Sequence, residues 1–107
     1  MKTKETKKKV GRPAYPLKDI LEGKYPQYGT YALKARLIDE GIFKDECSVC
    51  GWNKKLESTR FTPCELDHID GDPHNHVRDN LRLLCPNCHS LTHTYRKRKR
   101  VEGDDYV

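Results

Sequence analysis

Two cysteine pairs, Cys47-Ser48-Val49-Cys50 and Cys85-Pro86-Asn87-Cys88, share the C-x2-C spacing. Two intervening residues let a tight turn aim both thiolates at one ion. Two such turns complete the tetrahedral shell that zinc prefers. Gly51 follows the first pair and eases its turn. A full shell of four thiolates leaves no open position, so the site is expected to be structural. Disulfides or a redox pair are the alternatives, and an intracellular setting disfavours both. The fifth cysteine, Cys64, is expected to be buried as a small apolar residue.

A second group of residues offers different chemistry. Asp67 and His68 are adjacent, His89 directly follows Cys88, and His93 comes four residues later. Carboxylate oxygen and imidazole nitrogen suit Mg2+, Mn2+ or another first-row divalent ion. An imidazole that is neutral near pH 7 can take a proton from water. A cation that stabilises charge and a base that activates water are the two needs of phosphodiester hydrolysis.

The elements that must position these groups can be read from the flanking residues. Residues 65–69 read as a short strand, and 70–80 (DGDPHNHVRDN) as a loop rich in Gly, Pro, Asn and Asp. Residues 82–84 read as a second strand. Pro86 suits the first position of a helix, expected to run over 86–95. Such a helix would place His89 and His93 on one face. Neighbouring strand residues point to opposite faces, so Asp67 and His68 can serve one reaction only where the strand ends. Upstream, residues 17–22 form a short helix closed by Gly23. Thr30 is expected to N-cap a helix over 31–40, with Gly41 just past its end. Leu33 and Leu37 are i,i+4 neighbours in that helix. The pair reads either as a helix-turn-helix or as a hairpin that packs on the rest. Trp52 is expected to pack over the zinc region.

The chain has 107 residues, 35 % of them hydrophobic and 35 % charged, with mean hydropathy −0.96. One domain is the upper bound, and so thin a core calls for a metal staple. No apolar run approaches the roughly 18 residues of a membrane helix. The N-terminus has charge without the apolar stretch of a signal peptide. A cytoplasmic protein with no membrane partner is therefore expected. The net charge of +5 is uneven. Lys2, Lys4, Lys7, Lys8, Lys9 and Arg12 against Glu5 make residues 1–12 a +5 arm, expected to be disordered. Arg96, Lys97, Arg98, Lys99 and Arg100 form a second basic run, followed by Glu102, Asp104 and Asp105. A mildly acidic body between two basic arms suits a polyanion, and such arms bind phosphates in a salt-sensitive way. Gly11-Arg12-Pro13 partly matches minor-groove arms of DNA-binding proteins.

The stretches 66–72 (LDHIDGD) and 79–90 (DNLRLLCPNCHS) resemble the HNH endonucleases, and specifically the zinc-knuckle members common in phages and bacteria. The helix pair ahead of C-x2-C-Gly-Trp, over residues 17–52, is similar too. The resemblance implies a small α+β, metal-stabilised fold. Its centre is a ββα-metal finger with a four-cysteine knuckle, preceded by a short helical pair. Together with the charge pattern, it divides the chain into a basic arm (1–12), a helical segment (13–46), the nuclease domain (47–95) and a basic-then-acidic tail (96–107). It implies His68 as general base, and Asp67 and His89 as holders of Mg2+, Mn2+ or a similar catalytic ion. Asn80 would fix the loop and the orientation of His68. His93 matches a third metal ligand of the colicin-type branch. Structural Zn2+ would sit on Cys47, Cys50, Cys85 and Cys88. DNA is the implied substrate, cut to 5′-phosphate and 3′-hydroxyl ends. By their charge, Lys7, Lys8, Lys9, Arg12 and the 96–100 run are expected to contact it. A monomer would nick, and a homodimer could cut both strands. A phage packaging protein such as terminase is a further implied partner. The alternative is a zinc-knuckle module that binds DNA without cutting it. His74-Asn75-His76 spells the family's name but has no motif partner, and reads as a polar loop segment.

Overall fold

Helix α1 (Leu17–Leu21) starts at Pro16, whose carbonyl accepts the N–H groups of Asp19 and Ile20. Helix α2 (Thr30–Asp39) starts one residue earlier than its sequence implies. Gly29 holds the N-cap position with no side-chain cap, and its carbonyl accepts from Leu33 N–H. Thr30 is thus the first helical residue and not the cap, which glycine can also supply. The computed structural model describes residues 15–97, 99 and 101–107. Lys7, Lys8, Lys9, Arg12, Arg98 and Arg100 lie outside the described residues, and Lys97 is described as backbone alone.

Leu33 and Leu37 are fully buried on one face of α2 and meet Leu17 and Ile20 of α1 in the core. Lys34 is also buried, with its ammonium donating to the Thr62 carbonyl at 2.8 Å. That bond satisfies a cation otherwise costly to bury and ties α2 to the approach to the sheet. The sheet is one antiparallel hairpin, β1 (Glu65–His68) paired with β2 (Leu81–Leu84). Its register sets Glu65 opposite Leu84, Asp67 opposite Arg82 and His68 opposite Leu81. Leu66, Leu81, Leu83 and Leu84 are buried and close the core against the helices.

Helix α3 (Pro86–Ser90) follows β2 directly, with Cys85 as N-cap and Pro86 at its first position. It is five residues long and stops well short of the expected 95. The reason lies in the hydroxyl side chains. Ser90 Oγ donates to the Asn87 carbonyl at 2.7 Å, and Thr92 Oγ1 to the His89 carbonyl at 3.0 Å. Such local bonds compete with helix propagation. A separate 3-10 turn follows at Tyr95–Lys97. No helix among the described residues is long and apolar enough to cross a membrane.

Candidate active site

The two C-x2-C turns build the scaffold. In each, the first sulfur accepts the backbone N–H of the last cysteine, from Cys50 to Cys47 Sγ at 3.5 Å and from Cys88 to Cys85 Sγ at 3.4 Å. Gly51, at φ +78°, donates to the Cys47 carbonyl at 2.9 Å and turns the chain back. Ser48 N–H donates to the Leu83 carbonyl, which fastens the first turn to β2. The four sulfurs lie within 4.8 Å of one another, the one group of three or more metal-ligating side chains among the described residues. Cys50 Sγ and Cys85 Sγ are 3.7 Å apart. A tetrahedron with Zn–S bonds of about 2.3 Å has edges of about 3.8 Å, so the donors fit zinc.

The thiols also show why a dication belongs there. Burial opposes ionisation of Cys47, but backbone N–H groups around its sulfur prevail and bring it down to about 6. Burial and the crowding of neighbouring sulfurs push Cys88 up to about 12. A thiolate on Cys47 opposes ionisation of Cys88, and a bound cation would relieve that opposition. Cys64 stays apart from this cluster. It is buried, its sulfur is 3.7 Å from the Trp52 carbonyl, and burial raises its thiol.

The hairpin and α3 converge on an open pocket of about 150 Å³ whose lining includes Asp67, His68, Gly71, His89, Tyr95 and Arg96. Asp67 is 5 % exposed and splits its two oxygens. Oδ2 accepts from Arg82 Nε at 2.9 Å across the hairpin, while Oδ1 lies 3.7 Å from His89 Nε2. Two donors so spaced can share one cation with bonds of roughly 2.1 Å after a small adjustment. The other face of His89 meets Glu65, whose carboxylate is 3.6 Å from Nδ1. That distance is too long for a hydrogen bond, so the two carboxylates flank the ring nitrogens at similar range. Arg82 and Glu65 carry no motif signal. The hairpin register makes Arg82 the cross-strand partner of Asp67.

His68 is the last residue of β1, so it shares the pocket with Asp67 despite the alternation of strand side chains. It is 8 % exposed, and its Nε2 lies 3.1 Å from His76 Nδ1. Burial lowers its pKa below the ordinary value, His76 adds to that, and Asp67, Asp70 and Asp72 pull the other way. The loop after His68 is stapled by Asn80. Its amide donates to Asp70 Oδ1 at 3.0 Å and to the Asn75 carbonyl at 2.9 Å, and its Oδ1 accepts from Asp70 N–H. The Asn80 backbone carbonyl accepts from Ile69 N–H at 2.8 Å. Hydrogen bonds from Asn75, from the Asp72 N–H and from Asn80 hold the Asp70 carboxyl below its usual range.

Two placements depart from the sequence reading. His93 is not on a helix face with His89, because α3 has ended; its ring packs edge-on against Tyr106 with centroids 5.6 Å apart. His76 is no polar surface residue of the loop. It is fully buried, and its Nε2 meets the Tyr28 carbonyl at 2.8 Å. Spacing gives no sign of this, since the partner is a backbone atom 48 residues away. Among the basic residues, Arg96 lines the pocket at φ +50°, its guanidinium 5.3 Å from the Tyr95 ring centroid, and Lys99 is exposed.

Strand, loop, strand and helix clamped by four cysteines define a small α+β metal-finger domain. Residues 47–94 match the family model of HNH endonuclease. It is 44 % identical over 66 residues to the H-N-H endonuclease F-TflIV of Escherichia phage T5. The match covers 62 % of this chain and 28 % of that protein, so the chain spans under a third of that relative. No solved structure matches the chain.

Proposed function

We propose that the protein is a metal-dependent endonuclease that hydrolyses DNA phosphodiester bonds in a host cytoplasm. The observation that carries this is the convergence of Asp67, His68 and His89 on one open pocket, with Asp67 Oδ1 and His89 Nε2 3.7 Å apart. His68 acts as general base: its imidazole takes a proton from water, and the resulting hydroxide attacks phosphorus. The bond to the 3′ oxygen breaks, and that oxygen gains a proton to leave 5′-phosphate and 3′-hydroxyl ends. Asp67 and His89 hold a divalent ion such as Mg2+ or Mn2+, which when bound supplies charge stabilisation at the phosphate and leaving oxygen. Asn80 keeps the loop that carries His68 in shape. Arg96 adds a cation at the pocket. His93, packed on Tyr106, is assigned no role. The four cysteines hold structural zinc and take no part in the chemistry. One pocket cuts one strand, so a monomer nicks and a homodimer cuts both. A packaging partner such as terminase would bring DNA to this site without replacing it.

The test is cleavage of supercoiled plasmid with Mg2+ or Mn2+, wild type beside His68→Ala. Wild type nicks only with the divalent ion. The variant loses about 10²- to 10⁴-fold, the usual contribution of a general base, and keeps its zinc. Equal cleavage by both proteins overturns the base assignment. Binding without cleavage by the wild type, across ions, favours a non-catalytic DNA-binding module.

A further inference from the structure

His76 is a buried imidazole that the hydrolysis scheme leaves unused. Both its ring nitrogens are engaged: Nε2 lies 2.8 Å from the Tyr28 carbonyl oxygen, and Nδ1 lies 3.1 Å from His68 Nε2. The hydrogen positions follow from donor chemistry. A carbonyl oxygen only accepts, so His76 Nε2 carries the hydrogen. A neutral imidazole has a single N–H, which makes His76 Nδ1 an acceptor. The hydrogen between the two rings then belongs to His68 Nε2, and His68 Nδ1 keeps its lone pair. The opposite tautomer of His68 would set two lone pairs against each other at 3.1 Å in a buried place, leaving both acceptors unsatisfied. The loop is tied a second time, by His74 Nδ1 at 3.1 Å from the Pro26 carbonyl.

We propose that His76 is a positioning residue: anchored on the Tyr28 carbonyl, it fixes His68 as the tautomer with a bare Nδ1 and presents that atom to the attacking water. This rests on the reading of His68 as the general base. The logic is that of a histidine whose second nitrogen is held by a partner so that the first is free to work.

The experiment combines a tautomer measurement with kinetics on the full, zinc-loaded chain. Long-range ¹H–¹⁵N NMR of ring-labelled histidines reads which nitrogen of neutral His68 carries hydrogen. The expected result is Nε2 protonated and Nδ1 bare. Hydrogen on Nδ1 overturns the proposal. His76→Leu removes both bonds at similar volume, whereas His76→Gln can still donate to Tyr28 and accept from His68. Plasmid nicking by His76→Leu is expected to fall about 10- to 100-fold, the range for a group that orients another. His76→Gln is expected to recover most of that loss. A His76→Leu protein that is folded, zinc-loaded and as active as wild type overturns the proposal, as does a folded His76→Gln no better than His76→Leu. If His76→Leu does not fold, the wild-type tautomer together with the rate of His76→Gln decides. His68→Ala separates the two readings. Wild-type activity in that variant fells the base assignment and this proposal with it. An inactive His68→Ala beside a fully active His76→Leu fells this proposal alone.

Discussion

Asp67 and His68 are chain neighbours, yet each is steered by a different partner. Arg82 holds one oxygen of Asp67 across the hairpin, and the other is left facing His89. His68 leaves the strand and turns its Nε2 to His76. Between them and the rim sits Gly71, at φ +81°, donating to the His68 carbonyl at 2.8 Å. A Cβ there would come within 3.0 Å of Thr94 Cγ2 and 3.2 Å of Thr94 Cβ. We expect Gly71→Ala to lose about 1–3 kcal/mol, from the disfavoured backbone as well as the crowding. Thr94→Ala on top of it should restore only part, since its own Cβ and the positive φ remain; chemical denaturation of the wild type and the two variants checks this. Full recovery would assign the whole cost to the Thr94 methyl. Asp67, His68 and His89 are legible in the sequence because their types and order form a recognisable motif. His76 is not, because burial of a loop histidine depends on what packs over it.

The elements divide the work between holding and presenting. The two cysteine turns are continuous with the hairpin and α3: Ser48 is bonded to Leu83, and Cys85 caps the helix that carries His89. The position of His89 therefore depends on the sulfur cluster. A structural zinc contributes on the order of 10–16 kcal/mol at pH 7, as much as or more than the roughly 5–15 kcal/mol total stability of a small domain. Removal of the metal by a strong chelator is expected to unfold the protein, with about one zinc released per chain. Circular dichroism alongside a colorimetric zinc assay checks both at once. A folded, metal-free protein would contradict it. At this scale the strands, the loop between them and the knuckles are legible, because alternation, turn residues and C-x2-C spacing are local signals. The length of α3 is not. Pro86 marks its start, but its end is decided by Ser90 and Thr92 hydroxyls bonding to nearby carbonyls.

For the whole molecule, charge concentrates near both ends of the chain, whereas packing engages the helical segment. Residues 13–95 carry a formal charge of −2, and the basic groups concentrate in 1–12 and 96–100. If DNA is the substrate, removing residues 1–12 should weaken binding and flatten its dependence on salt. The log–log slope should fall by about 0.9 for each phosphate that the arm had neutralised. Fluorescence anisotropy across a salt series measures this, and an unchanged slope would exclude the arm from DNA binding. The helical segment plays another part. Its loop between α1 and α2 receives His74 at Pro26 and His76 at Tyr28.

The Tyr28 bond is made by a main-chain oxygen, which every residue type possesses. A change of side chain at position 28 therefore leaves this acceptor in place so long as the backbone keeps its path, which the Tyr28 ring supports by packing on the core and edge-on to Tyr15. Anyone grafting a different segment ahead of the first cysteine pair would have to reproduce that path, since residues 47–94 alone lack the oxygen on which His76 rests.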